Sequence, residues 1–249
     1  MSKAVEVSNL HVSYFGNEVV KDINFKIDKG RLVGIIGPNG AGKSTMIKAI
    51  LGLINKDKGR VLVNGKEIKK ERKNIAYVPQ RNDIDWNFPI NVFDTVLLGT
   101  YPKLGLLRRP KEKEKNLAMD ALKRVKMDEY KDSQIGELSG GQQQRIFLAR
   151  AIAQEADIYF LDEPFVGIDI SSEKTIMEIL NKLKSEGKTI FVVHHDLSKV
   201  EEYFDDLILI NKEIIKTGKV ENVFKEKIMN QAYNSDFSFM RSNRKVGAI

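Results

Sequence analysis

The sequence predicts an α/β fold with a parallel central sheet, an N-terminal antiparallel β subdomain and an inserted helical subdomain. Three observations lead there. The short apolar runs Arg31–Ile36, Ile75–Pro79, Asp157–Leu161 and Lys188–Val193 have strand length and read as buried strands. Ahead of them, Ile23, Phe25 and Ile27 alternate with polar residues, the pattern of a half-buried antiparallel strand. Between about 81 and 155 the apolar period becomes helical, with Leu117, Ala121, Leu122 and Val125 on one face.

Taken in order, residues 5–28 are expected to form antiparallel β-structure turning at Gly16-Asn17. Tyr14, beside that turn, either packs on a sheet face or stacks on a base. Gly37-Pro38-Asn39-Gly40-Ala41-Gly42-Lys43-Ser44-Thr45 follows the pattern G-x-x-x-x-G-K-[ST]. In such a loop, glycines at 37, 40 and 42 permit tight turns that gather backbone N–H groups around a phosphate. Lys43 then reaches the β- and γ-phosphates, and the Ser44 hydroxyl binds Mg²⁺. A strand precedes the loop and a helix over Lys43–Leu53 follows, so the phosphates would sit at a helix N-terminus. These features make the core that of a P-loop NTPase.

A second hairpin turns at Asn64-Gly65, between Val61–Val63 and Lys66–Ile68. Pro110 stands near a helix start, and the charges between Lys111 and Lys126 are most simply a solvated helix face. An amphipathic helix over 171–186 turns Ile176, Ile179, Leu180 and Leu183 inward and stops at Gly187. Leu207–Ile210 and Glu213–Ile215 make a last hairpin. Beyond 222 the periodicity fades into a polar, basic-leaning tail.

Composition excludes several classes. The chain of 249 residues has no cysteine, so disulfides, thiolate catalysis and Cys-based metal sites are out. No apolar run approaches the ~18 residues of a membrane span, and the start lacks a signal-peptide core. A soluble, cytosolic protein is expected. The formal charge of +7, from 41 basic and 34 acidic residues, decides little about partners.

In open α/β sheets ligands sit beyond the carboxyl ends of the strands. Here those ends carry the Gly37 loop, Gln80, Asp162-Glu163 and His195. Phosphoryl transfer to water needs a metal ion, donors to the equatorial oxygens and a group that orients the water. Ser44 and Asp162 are the natural Mg²⁺ ligands, Glu163 the general base and His195 a donor to the γ-phosphate. Gln80 can bridge metal, water and a moving partner. The run His194-His195-Asp196 lacks the third separated ligand of a transition-metal site.

Leu138-Ser139-Gly140-Gly141-Gln142-Gln143-Gln144-Arg145, with the loop at 37–45 and Leu161-Asp162-Glu163-Pro164, closely resembles the ATP-binding cassette family over about residues 3 to 220. Ser139 is placed to cap a helix running toward Gln154, aiming a hydroxyl, amides and a positive dipole end at an anion. The resemblance implies that Ser139, Gly140, Gly141 and Gln142 meet the γ-phosphate held by a second copy, in a head-to-tail homodimer binding ATP and Mg²⁺. It further implies that Tyr14 stacks on adenine, Gln80 marks the Gln loop, Asp169 lies in the dimer-interface loop and His195 is the switch histidine. An ATPase is expected, with a cassette domain over 1–222, a helical subdomain at about 83–155 and a C-terminal tail over 223–249.

About 95 residues separate Lys43 from Ser139, which leaves no room for the coiled-coil arms of the chromosome-maintenance branch. A lone cassette also differs from the tandem translation factors. Arg81-Asn82-Asp83-Ile84-Asp85-Trp86-Asn87-Phe88-Pro89-Ile90-Asn91-Val92 is similar to the segment of manganese, zinc and iron uptake ATPases, a likeness continued by Leu98-Gly99, Leu104-Gly105, Arg108-Arg109 and His194. In that family the segment receives a coupling helix of the permease. Trp86 and Phe88 would be apolar anchors, flanked by Asp83 and Asp85; the alternative is that Trp86 fills the helical subdomain. The resemblance implies a metal-ion importer on the cytoplasmic face of the membrane. Two permease subunits would be direct partners, an extracytoplasmic metal-binding protein an indirect one, and nucleic acid none. The rivals are a cassette ATPase for another cargo, such as a siderophore, haem or amino acid, and a non-transport regulatory or nucleic-acid cassette ATPase.

Overall fold

The computed structural model describes residues 2–104 and 108–233. Its strands and α-helices run β1 (Lys3–Tyr14), β2 (Asn17–Asp28), β3 (Leu32–Ile36), α1 (Lys43–Ile50), β4 (Lys58–Val63), β5 (Lys66–Glu67), α2 (Ile68–Glu71), β6 (Ile75–Val78), α3 (Val92–Leu97) and α4 (Tyr101–Leu104). They continue with α5 (Glu112–Arg124), α6 (Gly140–Ala153), β7 (Ile158–Leu161), α7 (Ile170–Ser185), β8 (Thr189–Val193), α8 (Val200–Tyr203), β9 (Asp206–Asn211), β10 (Glu213–Lys219), α9 (Val220–Val223) and α10 (Glu226–Tyr233). The chain divides into two compact units, one of residues 1–68 with 193–249 and the other of residues 69–192.

In the first unit an antiparallel sheet has the order β2-β1-β4-β5. Alternation is clear on β2, where Ile23, Phe25 and Ile27 are buried while Asp22, Asn24 and Lys26 are exposed; β1 buries Val5, Val7, Leu10 and Val12 together with Ala4 and His11, its register shifted along the strand. The β1–β2 turn falls on Phe15-Gly16 rather than Gly16-Asn17, because Tyr14 already pairs with Asn17 and both turn residues take positive φ, 51° and 78°. That is the handedness a two-residue hairpin needs. In the same unit β3 pairs parallel with β9, and β10 pairs antiparallel with β9. Every residue of β3 is buried.

The second unit holds the parallel strands β6, β7 and β8, with Val78 opposite Leu161 and Leu161 opposite Val192. Its helices α3, α5 and α6 pack on one another. Helix α6 is buried nearly all round, including Ile146, Phe147, Leu148 and Ala149 in succession, so it is the post about which the helical part assembles. Helix α7 buries Ile176, Ile179, Leu180 and Leu183, one stripe at helical spacing.

The segment after 222 departs from a plain tail. Residues Glu226–Tyr233 form α10, which packs on β9 and β10 and buries Met229 and Ala232 completely. Eight residues with two inward side chains are too short for periodicity to register; the helix exists because a sheet edge is there to cover. Residues 234–249 of that segment, and Gly105 of the uptake-ATPase likeness, lie outside the described residues.

Candidate active site

The phosphate loop springs from β3 and closes on α1. Gly42 precedes the helix at φ 89°, ψ 13°, a conformation that side chains rarely adopt. A Cβ there would also meet Val20 Cγ2 at 2.8 Å and the Val19 carbonyl at 3.0 Å. The first amides of α1 have no partner within the helix by geometry, and no acidic residue stands in its first turn to compete for them. Lys43 is buried to 5% exposure, and its Nζ donates to the carbonyls of Gly37 and Pro38, each at 2.8 Å. Ser44 and Thr45 are half-buried beside it.

In the same unit the His194 amide donates to the Ile35 carbonyl at 3.1 Å, which sets the histidine run beside the end of β3. The run then divides. His194 is buried, its ring centroid 5.4 Å from Phe204 and 5.9 Å from Tyr203. His195 is exposed. The Asp196 carboxylate accepts from the Ser198 amide at 3.0 Å, and the Ser198 hydroxyl holds that carboxyl below its ordinary range. Three neighbours in sequence thus point to three tasks, and among the described residues no group of three or more His, Asp or Glu side chains could hold a metal ion. Tyr14 is 41% exposed at the hairpin tip, so its ring is not part of the core.

In the second unit, adjacent parallel strands bring the acidic pair and Gln80 together. The Asp162 amide donates to the Val78 carbonyl at 2.9 Å, so Asp162 leaves β7 alongside the end of β6, two residues before Gln80. Asp162 has no exposed surface, and the Tyr77 phenol faces its carboxylate at 3.4 Å. Burial first, then that carboxylate, push the Tyr77 phenol up, so it stays a donor. Glu163 is half-buried at φ 54°, a left-handed conformation unusual for a residue with a side chain. Such local strain concentrates at functional positions, where it aims a group the regular strand would misdirect.

The segment 139–142 shows a reciprocal cap. Ser139 Oγ accepts from the Gln142 amide at 3.4 Å, and Gln142 Oε1 accepts from the Ser139 amide at 2.9 Å. Ser139 is exposed at the positive end of α6. Gly141 has a packing reason to lack a side chain: a Cβ there would overlap Ser172 of α7. Asp169 caps α7, with Oδ1 accepting from the Ser172 amide at 2.9 Å and Oδ2 from the Ser172 hydroxyl at 2.6 Å. The hydroxyl bond, then the amide, hold the Asp169 carboxyl below its usual range. Ser172 therefore joins the loop at Asp169 to the start of α6.

Residues 20–166 match the family described as ABC transporter. The chain belongs to the ABC transporter family.

This ABC ATPase is 54% identical over 229 residues to the manganese transport system ATP-binding protein MntB of Listeria innocua, covering 92% of this chain and 95% of the relative. It is 50% identical over 249 residues to the MntB protein of Halalkalibacterium halodurans, covering 100% and 99%. With the zinc transport system ATP-binding protein TroB of Treponema pallidum it shares 49% over 244 residues, covering 97% and 92%. Among solved structures it is similar to a metal-chelate type ABC transporter in an inward-facing conformation, at TM-score 0.84 and 28% identity over 95% of this chain and 90% of that one. It is also similar to a dimeric cassette bound to ADP and Pi, at TM-score 0.76 and 28% identity over 87% and 98%. The P-loop ATPase fold of this ABC ATPase follows from these likenesses.

Two residues of the cassette were not legible beforehand. Arg81 donates from Nη2 to Gln143 Oε1 at 3.0 Å, and its guanidinium lies 5.7 Å from the Trp86 ring centroid. Trp86 returns its indole N–H to the Arg81 carbonyl at 3.0 Å and sets its ring edge-on to Phe147 of α6, centroids 5.4 Å apart. Arg81 and Gln143 thus tie the loop after Gln80 to the start of α6. They stand 62 residues apart, and no spacing rule connects them. Trp86 is pinned within the helical part, whereas Phe88 is 58% exposed between solvated neighbours, with Asp83 and Asp85 also exposed.

Proposed function

We propose that this ABC ATPase powers uptake of a divalent metal ion, manganese first and zinc or iron as the alternatives, as a homodimer beneath two permease subunits. The observation that carries the proposal is identity of 49 to 54% with manganese and zinc transport ATPases over nearly the whole chain. Every position that ATP hydrolysis needs is also filled. The chain would lie on the cytoplasmic face of the membrane through its partners; none of its described helices is long and apolar enough to cross one. An extracytoplasmic metal-binding protein would deliver the cargo, which need not touch this chain.

In this reading Tyr14 stacks on adenine, and the loop Gly37, Pro38, Asn39, Gly40, Ala41, Gly42, Lys43, Ser44, Thr45 holds the phosphates, Lys43 supplying the positive charge. The hard oxygen donors of Ser44, Asp162 and Gln80 fit Mg²⁺, which when bound neutralises charge developing on the phosphates. Glu163 takes the proton of the attacking water, His195 donates to the γ-phosphate, and Gln80 senses both. Ser139, Gly140, Gly141 and Gln142 of one copy close on the nucleotide of the other, with Asp169 in the interface loop. Binding closes the dimer and hydrolysis reopens it, so the permease alternates its access.

Cells in which Lys43→Ala replaces the wild-type chain are expected to lose one of manganese, zinc or iron selectively, with recovery on restoring the wild type. Unchanged content of all three would move the cargo to a chelate or organic compound. At the proposed permease face, Phe88→Ala is expected to weaken co-purification of the permease while leaving the melting temperature unaltered. Trp86→Ala should instead lower stability by about 2 kcal/mol through lost contact with Phe147, read by thermal melting.

A further inference from the structure

The phosphate-loop pattern makes no demand on residues beyond 200, yet the loop leans on them. A Cβ on Gly37 would overlap the carbonyl of Ile210 on β9, so loop and strand end touch there. The Lys212 amide donates to the Ala41 carbonyl at 2.9 Å. Lys212 is the single residue between β9 and β10, at φ 61°. Its own carbonyl accepts from the Lys21 amide of β2 at 2.8 Å, and β2 presses Val19 and Val20 on Gly42. The β9–β10 turn is therefore the outer wall of the loop.

Helix α10 braces that wall. Asn211 Nδ2, at the end of β9, donates to the Ala232 carbonyl at 2.9 Å and so satisfies an end carbonyl of α10. Met229 and Ala232 seat the helix on β9 and β10 with no exposed surface. One residue on, Tyr233 meets Gly37, whose backbone N–H donates to the phenol oxygen. Burial pushes that phenol up to about 12, so it stays neutral at any working pH and the contact does not titrate.

We propose that Asn211 and Tyr233 are positioning residues for the phosphate loop, and that α10 is a strut through which the C-terminal segment of the chain sets nucleotide affinity. Asn211 holds the turn that carries Lys212, and Tyr233 holds the first glycine of the loop. With the strut released, the loop spends part of its time with its amides turned from the phosphates, and affinity falls by the fraction lost. Binding rather than chemistry is expected to change, because the contacts argued from lie on the loop, α10 and the end of β9. The inference rests on the nucleotide-site reading of residues 37–45.

The test uses the full chain with Mg-ATP as the probe, measuring KM and kcat for hydrolysis and the melting temperature with and without ATP. Tyr233→Phe keeps the ring and removes only the oxygen; Asn211→Ala removes only the donor. Each is expected to raise KM for ATP by about 3- to 10-fold, the range for one lost hydrogen bond, with kcat within about twofold. The melting temperature without ATP should hold for Tyr233→Phe, and the rise produced by a fixed ATP concentration should shrink. Unchanged KM in Tyr233→Phe overturns the proposal, as does a fall in kcat together with the unliganded melting temperature, which marks a merely structural role. Should Asn211→Ala not fold, Tyr233→Phe decides. If the wild type itself fails to bind ATP, or Lys43→Ala binds it equally well, the nucleotide-site reading has failed and the strut falls with it.

Discussion

Glu163→Gln is expected to lower ATP turnover by about 10²- to 10⁴-fold while leaving ATP binding nearly intact, because it removes a proton acceptor and changes little in shape. Glu163 follows β7 in a left-handed conformation, φ 54°, while its neighbour Asp162 is fully buried. The two successive carboxylates thus sit in different surroundings, one half-buried on a left-handed backbone and one fully buried. A glutamine keeps the size and the hydrogen-bonding reach and cannot take the proton of water. Binding without hydrolysis should trap the closed pair, visible as an ATP-dependent shift to twice the mass in size-exclusion chromatography. Turnover within about tenfold of wild type would remove Glu163 as the base.

Lys43→Ala is expected to weaken ATP binding by about 10- to 150-fold, the worth of a charge-assisted hydrogen bond, and to reduce hydrolysis at least as much. Lys43 is almost wholly buried and held by the carbonyls of Gly37 and Pro38. Its ammonium is thus kept within the loop whose amides are proposed to gather the phosphates. An alanine leaves those carbonyls without their cation and the loop without its only buried positive charge among the described residues. Calorimetric titration with ATP would check this. Undiminished affinity would contradict the assignment of residues 37–45 to phosphate.

Much of this was legible because the governing signals are local. Gly42 and Lys43 belong to a nine-residue pattern whose geometry follows from backbone φ and helix ends. Likewise Ser139 and Gln142 are a capping box three residues apart, and Ile176, Ile179, Leu180 and Leu183 share a face by helical period alone. The divided fate of His194, His195 and Asp196 was less legible. Which of two adjacent histidines turns inward depends on Tyr203 and Phe204, which the chain reaches only at the end of α8.

The linear chain therefore dictated the strands, the phosphate loop, the acidic pair and the cap of α6, each written within a few residues. Folding settled what long-range contact chooses: Arg81 on Gln143, Ser172 against Gly141, and α10 braced on Asn211 and Gly37. The physical reason is separation. A cap or a tight turn is recognised by its neighbours, but a hydrogen bond between residues 62 or 21 apart exists only once the core has brought their elements together.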